Sequence, residues 1–125
     1  MTQEHKELLL KDLCSRLPYR VKISVNNNIE SLQGINVLDN VVEYGSFLSS
    51  NIEEVKPYLF PLSSMTDEQY DQLYIDSRVK NDSIDILDAL ANDMDAIDWL
   101  NKNLFDYRGL IEKGLAIDAT GLNIY

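Results

Sequence analysis

The spacing of the apolar residues changes near Pro61, and this change constrains the fold more than any other feature of the sequence. Before it, short segments alternate apolar and polar residues, as half-buried strands do. After it, apolar residues recur every three or four positions, as in amphipathic helices. A run of strands followed by a run of helices predicts an α+β fold with a small antiparallel sheet.

An N-terminal helix is predicted ahead of the strands. Its apolar stripe has the spacing of a buried helix face and consists of Leu9, Leu10, Leu13, Cys14 and Leu17. Asp12 falls outside this stripe. Thr2 is placed to cap the helix, and Pro18 prevents its continuation. We therefore expect Cys14 to be an inert thiol in the core.

The strands are predicted to form an antiparallel meander. The first is the alternating segment Tyr19–Val25, and the second covers Ile29 to Leu38, with Gly34 at a bulge or bend. A third covers Val41 to Leu48, and a short fourth covers Ile52 to Lys56. Since tight turns connect these short strands, we expect a strongly bent sheet or a small barrel.

The C-terminal half is predicted to be helical. Lys56–Thr66, with its two prolines, is interpreted as an extended connector packed on the sheet. Thr66 and Gln69 fit a capping box that opens a helix ending near Arg78 or Lys80. The other predicted elements are helices at Ile84–Met94, from Asp93 or Asp95 to Asn103, and at Leu110–Lys113, and a strand at Leu115–Ile117.

Length and charge indicate one acidic domain. A chain of 125 residues, 45% of them hydrophobic, can bury a core without a metal ion or disulfide. We therefore expect a single domain, with a helix-plus-meander half at residues 1–62 and an acidic helical half at 63–125. Acids outnumber bases by 21 to 11, and the second half carries −8 of the net charge of −10.

This charge argues against several classes of partner. Phosphate backbones are bound through Lys and Arg, so direct nucleic-acid binding is not expected, and an anionic membrane surface would repel the chain. No segment resembles a secretory signal or a membrane span. With Cys14 as its one cysteine, the chain cannot form an internal disulfide. These observations predict a cytoplasmic protein.

Little in the sequence indicates a catalytic site or a metal-binding site. His5 is the one histidine and Cys14 the one cysteine, so neither a histidine pair nor a thiolate pair can bind zinc. The five glycines are scattered and form no phosphate-binding loop. The sequence therefore predicts no catalytic residues, no cofactor and no metal site, and we do not expect an enzyme.

The regularly spaced aspartates are the first candidate for partner binding. Asp85, Asp88 and Asp95 lie opposite an apolar helix stripe, which is typical of a solvated face. Such a face can also imitate a phosphate backbone and bind a basic groove. A hard cation at Asp82, Asp85 and Asp88 is a further alternative, although the calcium-loop pattern is absent.

The segment Phe105–Leu110 (FDYRGL) is the second candidate. It combines two aromatic residues, an acid, an arginine and a glycine. As a recognition loop it would use Arg108 to bind an anion and Tyr107 as a stacking platform. The alternative is a turn between helices, in which the aromatic side chains fill the core and Asp106 pairs with Arg108.

Three segments resemble a family of small uncharacterised proteins encoded by gut bacteria and by their prophages or phages. They are LCSRLPYRVK (Leu13–Lys22), IEEVKPYLFPLSSMTDEQ (Ile52–Gln69) and WLNKNLFDYRGLIEKGLAIDA (Trp99–Ala119). The resemblance implies a phage-related, mobile-element context and an accessory protein that binds a host or phage protein. It implies no catalytic residue and no activity.

These observations leave three functional hypotheses. The first is a non-catalytic protein-interaction module that binds a protein partner through its acidic surface. The second is a binder of a small anionic ligand, or a weak enzyme, that uses Arg20, Lys22 or Arg108 beside tyrosines. The third is a structural or assembly component. A concave polar pocket would favour the second, and a flat acidic or apolar patch the others. The oligomeric state is not predicted.

Overall fold

The N-terminal helix is confirmed in the computed structural model, which describes residues 1–46, 48–74 and 94–125. Helix α1 spans Gln3–Arg16, and the hydroxyl of Thr2 accepts a hydrogen bond from the backbone N–H of His5 at 3.1 Å. A 3₁₀ turn at Leu17–Tyr19 follows and contains Pro18 in its first turn. The cap and the proline thus delimit the helix as predicted.

The buried face of α1 differs from the predicted stripe at two positions. Leu9, Leu10 and Leu13 are buried as predicted. Cys14 is exposed, and Asp12 is fully buried. The face is centred on positions separated by three and four residues that include Asp12 and Arg16, which turns Cys14 towards solvent. The prediction was wrong because it assumed that a charged residue stays outside the core.

The antiparallel meander is confirmed, with strands β1 (Lys22–Val25), β2 (Asn28–Asn36), β3 (Val41–Tyr44) and β4 (Leu48–Asn51). Each is paired with the next along the chain. Asn26 and Asn27 both have positive φ, which suits a two-residue hairpin turn. The predicted third strand, Val41–Leu48, is in fact divided between β3 and the first residue of β4.

A β-bulge near Gly34 determines which residues of β2 face the core. Leu32 is aligned with Tyr44, and Ile35 with Val42, because the register shifts between Leu32 and Gly34. In a regular strand, residues three positions apart would face opposite sides of the sheet. The bulge therefore places Leu32 and Ile35 on the same face, as the glycine in the pattern suggested.

The predicted fourth strand is wrong, and the first part of the predicted connector is a strand. Ile52–Glu54 form a 3₁₀ turn, and β5 spans Val55–Pro61, antiparallel to β1. Pro57 lies opposite Ile23, and a parallel partner on β5 begins only at the next residue, Tyr58. Since proline lacks an N–H, its presence in this strand was unexpected from the sequence.

Two short parallel strands extend the sheet at β5. β6 (Phe105–Asp106) pairs with its C-terminal end, and β7 (Ile117–Asp118) pairs with its middle. β7 begins two residues later than predicted. The strand order is β4-β3-β2-β1-β5-β6, with β7 also on β5. The α+β class with an antiparallel-rich sheet is confirmed, and the sheet is open rather than closed into a barrel.

Two helices are described in the C-terminal half. α2 spans Asp67–Tyr74 and α3 spans Met94–Lys102, close to the predicted end at Asn103. The predicted helix at Ile84–Met94 and the extension of α2 to Arg78 or Lys80 fall largely or wholly outside the described residues.

The predicted helix at Leu110–Lys113 is a single hydrogen-bonded turn. The N–H of Gly114 donates to Ile111 O at 3.1 Å, and the N–H of Leu115 donates to Leu110 O at 2.9 Å. This is the Schellman pattern that normally ends a helix, with Gly114 at positive φ. The C-terminal signal was interpreted correctly, but the segment is too short to be a helix.

The core lies between α1, one face of the sheet and the segment that follows β6. Its fully buried side chains include Leu9, Leu13, Ile23 and Leu110. A smaller cluster joins α3 to β6, where the rings of Trp99 and Phe105 stack at 5.7 Å. Phe60 contacts both clusters, so the α3–β6 region is packed against the end of β5.

The capping box of α2 provides a test of the local analysis. The N–H of Thr66 donates to the Gln69 side chain at 2.8 Å, and the N–H of Gln69 donates to the Thr66 hydroxyl at 3.2 Å. We expect Thr66→Ala to lower the free energy of unfolding by about 0.5–2 kcal/mol in urea denaturation. Ser63→Ala, at an exposed neighbouring serine, should change it little. Equal losses would contradict a specific role of the cap.

Candidate functional site

A buried ion pair lies on the inner face of α1. Asp12 and Arg16 are one helical turn apart, and neither side chain is exposed. The Nε of Arg16 donates to Asp12 Oδ2 at 2.9 Å, and Nη2 donates to Oδ1 at 3.1 Å. This two-bond geometry between a guanidinium and a carboxylate is the strongest form of the contact. This contact within one helix orients both side chains.

The same pair joins α1 to the segment at β6. Nη2 of Arg16 also donates to the backbone carbonyl of Phe105 at 2.7 Å. Arg108 donates from Nη1 to Asp12 Oδ1 at 2.8 Å, and from Nη2 to the Ser15 hydroxyl at 3.4 Å. Residues that are 96 positions apart in the chain thus share one carboxylate. We call Asp12, Arg16, Tyr107 and Arg108 the arginine cluster.

Tyr107 completes the arginine cluster through its ring and its hydroxyl. The guanidinium carbons of Arg108 and Arg16 lie 4.5 and 5.5 Å from the ring centroid, within the range of cation–π attraction. The hydroxyl donates to Asn101 Oδ1 at 3.0 Å. Tyr107 therefore connects the two arginines to the end of α3.

The charge of the arginine cluster is unbalanced. Two guanidinium groups surround one carboxylate, which leaves an excess positive charge in a chain of net charge −10. Nη1 of Arg16 is buried and has no hydrogen-bond partner in the described part of the chain. A buried donor without a partner has a free-energy cost. The cluster is thus well connected but not fully satisfied.

Asp106 does not pair with Arg108, contrary to one of the two predicted alternatives. Its carboxylate accepts hydrogen bonds from the backbone N–H groups of Leu110 and Ile111, both at 2.9 Å. It thereby fixes the turn at Leu110–Lys113, while Arg108 reaches across to α1. The sequence could not show this, because the partner of Arg108 belongs to a distant helix.

Three of the five predicted partner-binding residues, Asp95, Tyr107 and Arg108, lie in the described part of the chain. Tyr107 and Arg108 are half-buried, and their side chains contact α1 and α3, although 14% of the Arg108 side chain is exposed. Asp95 lies in the first turn of α3. Asp85 and Asp88 lie outside the described residues. Their role in binding stays a prediction.

The turn between β2 and β3 carries a feature that the sequence analysis missed. Leu38 is 95% exposed and Val37 is 56% exposed. The turn is held by two hydrogen bonds, from Asn36 Nδ2 to Asp39 Oδ2 at 2.9 Å and from the N–H of Asp39 to Asn36 Oδ1 at 3.2 Å. We call Val37 and Leu38 the exposed turn. The sequence signal for this feature was two adjacent apolar residues immediately before the turn residues Asp39 and Asn40.

Strand β4 forms one end of the sheet. Among the described residues it pairs with β3 only, so its other edge has no strand partner there. Leu48, its first residue, is 52% exposed. An open hollow of about 620 Å³ lies beside it and is lined in part by Gln33, Glu43 and Ser49. The exposed turn and this edge belong to the same part of the sheet, which β2, β3 and β4 form.

The phenol of Tyr125 links strands β1 and β5 in the opposite part of the sheet. Its oxygen accepts a hydrogen bond from the N–H of Lys22 at 2.9 Å and donates one to Tyr58 O at 2.7 Å. Burial raises the pKa of Tyr125 to about 12, against the smaller lowering effects of the Lys22 hydrogen bond and the Arg16 charge. The residue as a whole is 47% exposed, so the enclosed part is the phenol head.

No family model matches the chain, no curated protein matches its sequence, and no solved structure matches its fold. In the part of the chain that the structure describes, no group of three or more His, Cys, Asp or Glu side chains could hold a metal ion. Over the same residues, no helix has the length and apolar character needed to cross a bilayer.

The raised pKa of Tyr125 predicts a specific pH dependence. The neutral phenol is favoured in the folded state, so its contribution to stability is complete below about pH 10 and is lost as the pH rises towards 12. Tyr125→Phe removes this contribution and two hydrogen bonds, so the variant should be less stable at neutral pH. The stability difference between wild type and variant should narrow in urea denaturation from about pH 10 to about pH 12. A difference that stays constant would contradict the buried phenol.

Proposed function

We propose that the protein is a non-catalytic interaction module that binds another protein through the exposed turn and the acidic surface around it. The observation that carries this proposal is the 95% exposure of Leu38 in a turn that two side-chain hydrogen bonds hold in place. An apolar side chain in this position contributes almost no burial to the fold. It is, however, ready to be buried by a partner.

The energetics favour a binding role for the exposed turn. Turns are normally built from polar residues and glycine, because these residues satisfy the backbone and remain solvated. Burying a leucine side chain in a partner's pocket contributes about 1.5–3 kcal/mol. The bonds between Asn36 and Asp39 fix the turn in advance, so less conformational entropy is lost on binding.

The charge of the protein suggests the kind of partner. The carboxylate of Asp39 lies in the turn, and Glu43 is exposed on the adjacent strand. A net charge of −10 attracts a basic surface and speeds the encounter with it. We therefore propose a partner that has an apolar pocket surrounded by Lys and Arg. The resemblance to phage-related proteins supports a host or phage protein in this role.

The two other hypotheses have less support. A small anionic ligand would be bound at the arginine cluster, where Nη1 of Arg16 lacks a partner. Both guanidinium groups, however, already share the carboxylate of Asp12, so they are occupied within the fold. A structural or assembly role would use the same exposed turn as partner binding does. The exposed turn is thus the feature to test first.

Substitution of Leu38 tests the proposal. Immobilised protein would be used to capture partners from cells that carry this chain, and the captured protein would then be titrated directly. Leu38→Ser should weaken binding at least about tenfold, because it removes a buried apolar contact without touching the fold. Leu122→Ser provides the control, since Leu122 is 47% exposed elsewhere on the surface. Rising salt should weaken binding further.

Two results would contradict this function. The first is that the Leu38 variant binds the partner as tightly as the wild type, while both variants unfold at unchanged urea concentrations. The second is that no protein is captured by both the wild type and the Leu122 variant.

A further inference from the structure

We infer that the open edge of β4 binds an extended segment of the partner as an added strand, with a basic side chain of that segment directed towards Glu43. This inference deepens the proposed function by naming a second contact and the chemistry of the partner. It depends on the partner being a protein, but it does not depend on Leu38.

The edge of β4 has few of the features that normally prevent strand addition. Natural edge strands are often protected by lysine, proline, an inward charge or a bulge. β4 has the sequence Leu-Ser-Ser-Asn, with no charge and no proline, and it pairs residue for residue with β3. Its small polar side chains allow another backbone to approach closely. Within the residues that the structure describes, the remaining protection is the short length of the strand, four residues.

The side chains near this edge define two different positions for an added strand. Ser49 is aligned with Glu43, and Leu48 is aligned with Tyr44, so the two pairs lie on opposite faces of the sheet. On the first face, the small Ser49 side chain leaves a long basic side chain free to extend over it towards Glu43. On the second face, Leu48 offers an apolar contact.

The partner segment should therefore alternate basic and apolar residues. The hollow of about 620 Å³ is lined by Tyr44 and Leu48 as well as by Gln33, Glu43 and Ser49, so the basic side chain would lie beside a carboxylate and an amide on its polar side. Arginine suits such a place, because its guanidinium can bind a carboxylate through two parallel hydrogen bonds. An apolar neighbour in the segment then contacts Leu48. This is the β-augmentation mode of peptide recognition.

A second copy of the chain fits this edge poorly. Each copy has a net charge of −10, so two copies repel each other. β4 contains no basic residue to place beside Glu43 of the other copy. A basic segment of a different protein satisfies both requirements, and it is consistent with the basic partner that the exposed turn requires.

A short synthetic peptide tests the inference directly. The probe is a six-residue peptide of alternating valine and threonine in which one threonine is replaced by arginine. Titrated into the full-length protein, it should shift the backbone amide NMR signals of residues 48–51 and slow their hydrogen exchange. A matched peptide, N-methylated at alternate amides, should bind at least about tenfold more weakly, because it cannot complete the backbone hydrogen bonds.

Two protein variants test the charge contact. Glu43→Gln should weaken binding of the arginine peptide several-fold, and it should reduce the preference for that peptide over one with glutamate in place of arginine. Glu112→Gln, which removes the same charge at an exposed position in the Leu110–Lys113 turn, should leave binding unchanged.

The inference is overturned if the N-methylated peptide binds as tightly as its parent, if the NMR changes lie away from β4, or if the arginine peptide does not bind. These outcomes differ from a failure of the proposed function. Loss of partner capture by Leu38→Ser with no peptide binding at β4 would uphold the function and reject strand addition. Peptide binding at β4 with a normal Leu38 variant would uphold strand addition and reject the exposed turn.

Discussion

The fold depends on the carboxylate that Asp12 shares between Arg16 and Arg108. Both arginines and the aspartate are largely withdrawn from water, and an isolated charge in such a place would be strongly unfavourable. Each of these buried charges is therefore stabilised by the others. The shared carboxylate joins α1 to the segment that forms β6, and that segment in turn closes the core through the turn at Leu110–Lys113. The N- and C-terminal parts of the chain are thus held together by an electrostatic contact as well as by apolar packing.

Local features of this fold were predictable from the sequence. The Thr2 cap, the Asn26-Asn27 turn, the Gly34 bulge and the Thr66 capping box each involve residues close together in the chain, and all are observed. β5 was missed because its two prolines suggested a connector, and a prolyl residue is accepted there only in the register that the neighbouring strands provide. The burial of Asp12 was missed because one of its partners is 96 residues away.

Prediction of the candidate sites from the sequence has the same limit, because their contacts and exposure depend on residues that are distant in the chain. Tyr107 and Arg108 were distinctive in the sequence, and the structure shows their side chains in contact with α1 and α3. Leu38 was not, because the fractional exposure of a side chain depends on packing that a single sequence does not reveal. The arginine cluster and the β2–β4 part of the sheet differ in the role that we assign to them. The arginine cluster stabilises one part of the fold, and the β2–β4 part of the sheet exposes the apolar and acidic groups through which we propose that a partner binds.

The coupling free energy between Asp12 and Arg108 tests this account most directly. It is obtained from a double-mutant cycle in urea denaturation, with Asp12→Asn, Arg108→Met and the double variant, and with Lys102→Met replacing Arg108→Met as the control cycle. The shared carboxylate predicts a coupling of about 0.5–3 kcal/mol for Asp12 with Arg108, and none with the exposed Lys102. Additive effects in the Asp12–Arg108 cycle would contradict the claim that this contact holds the two parts of the chain together.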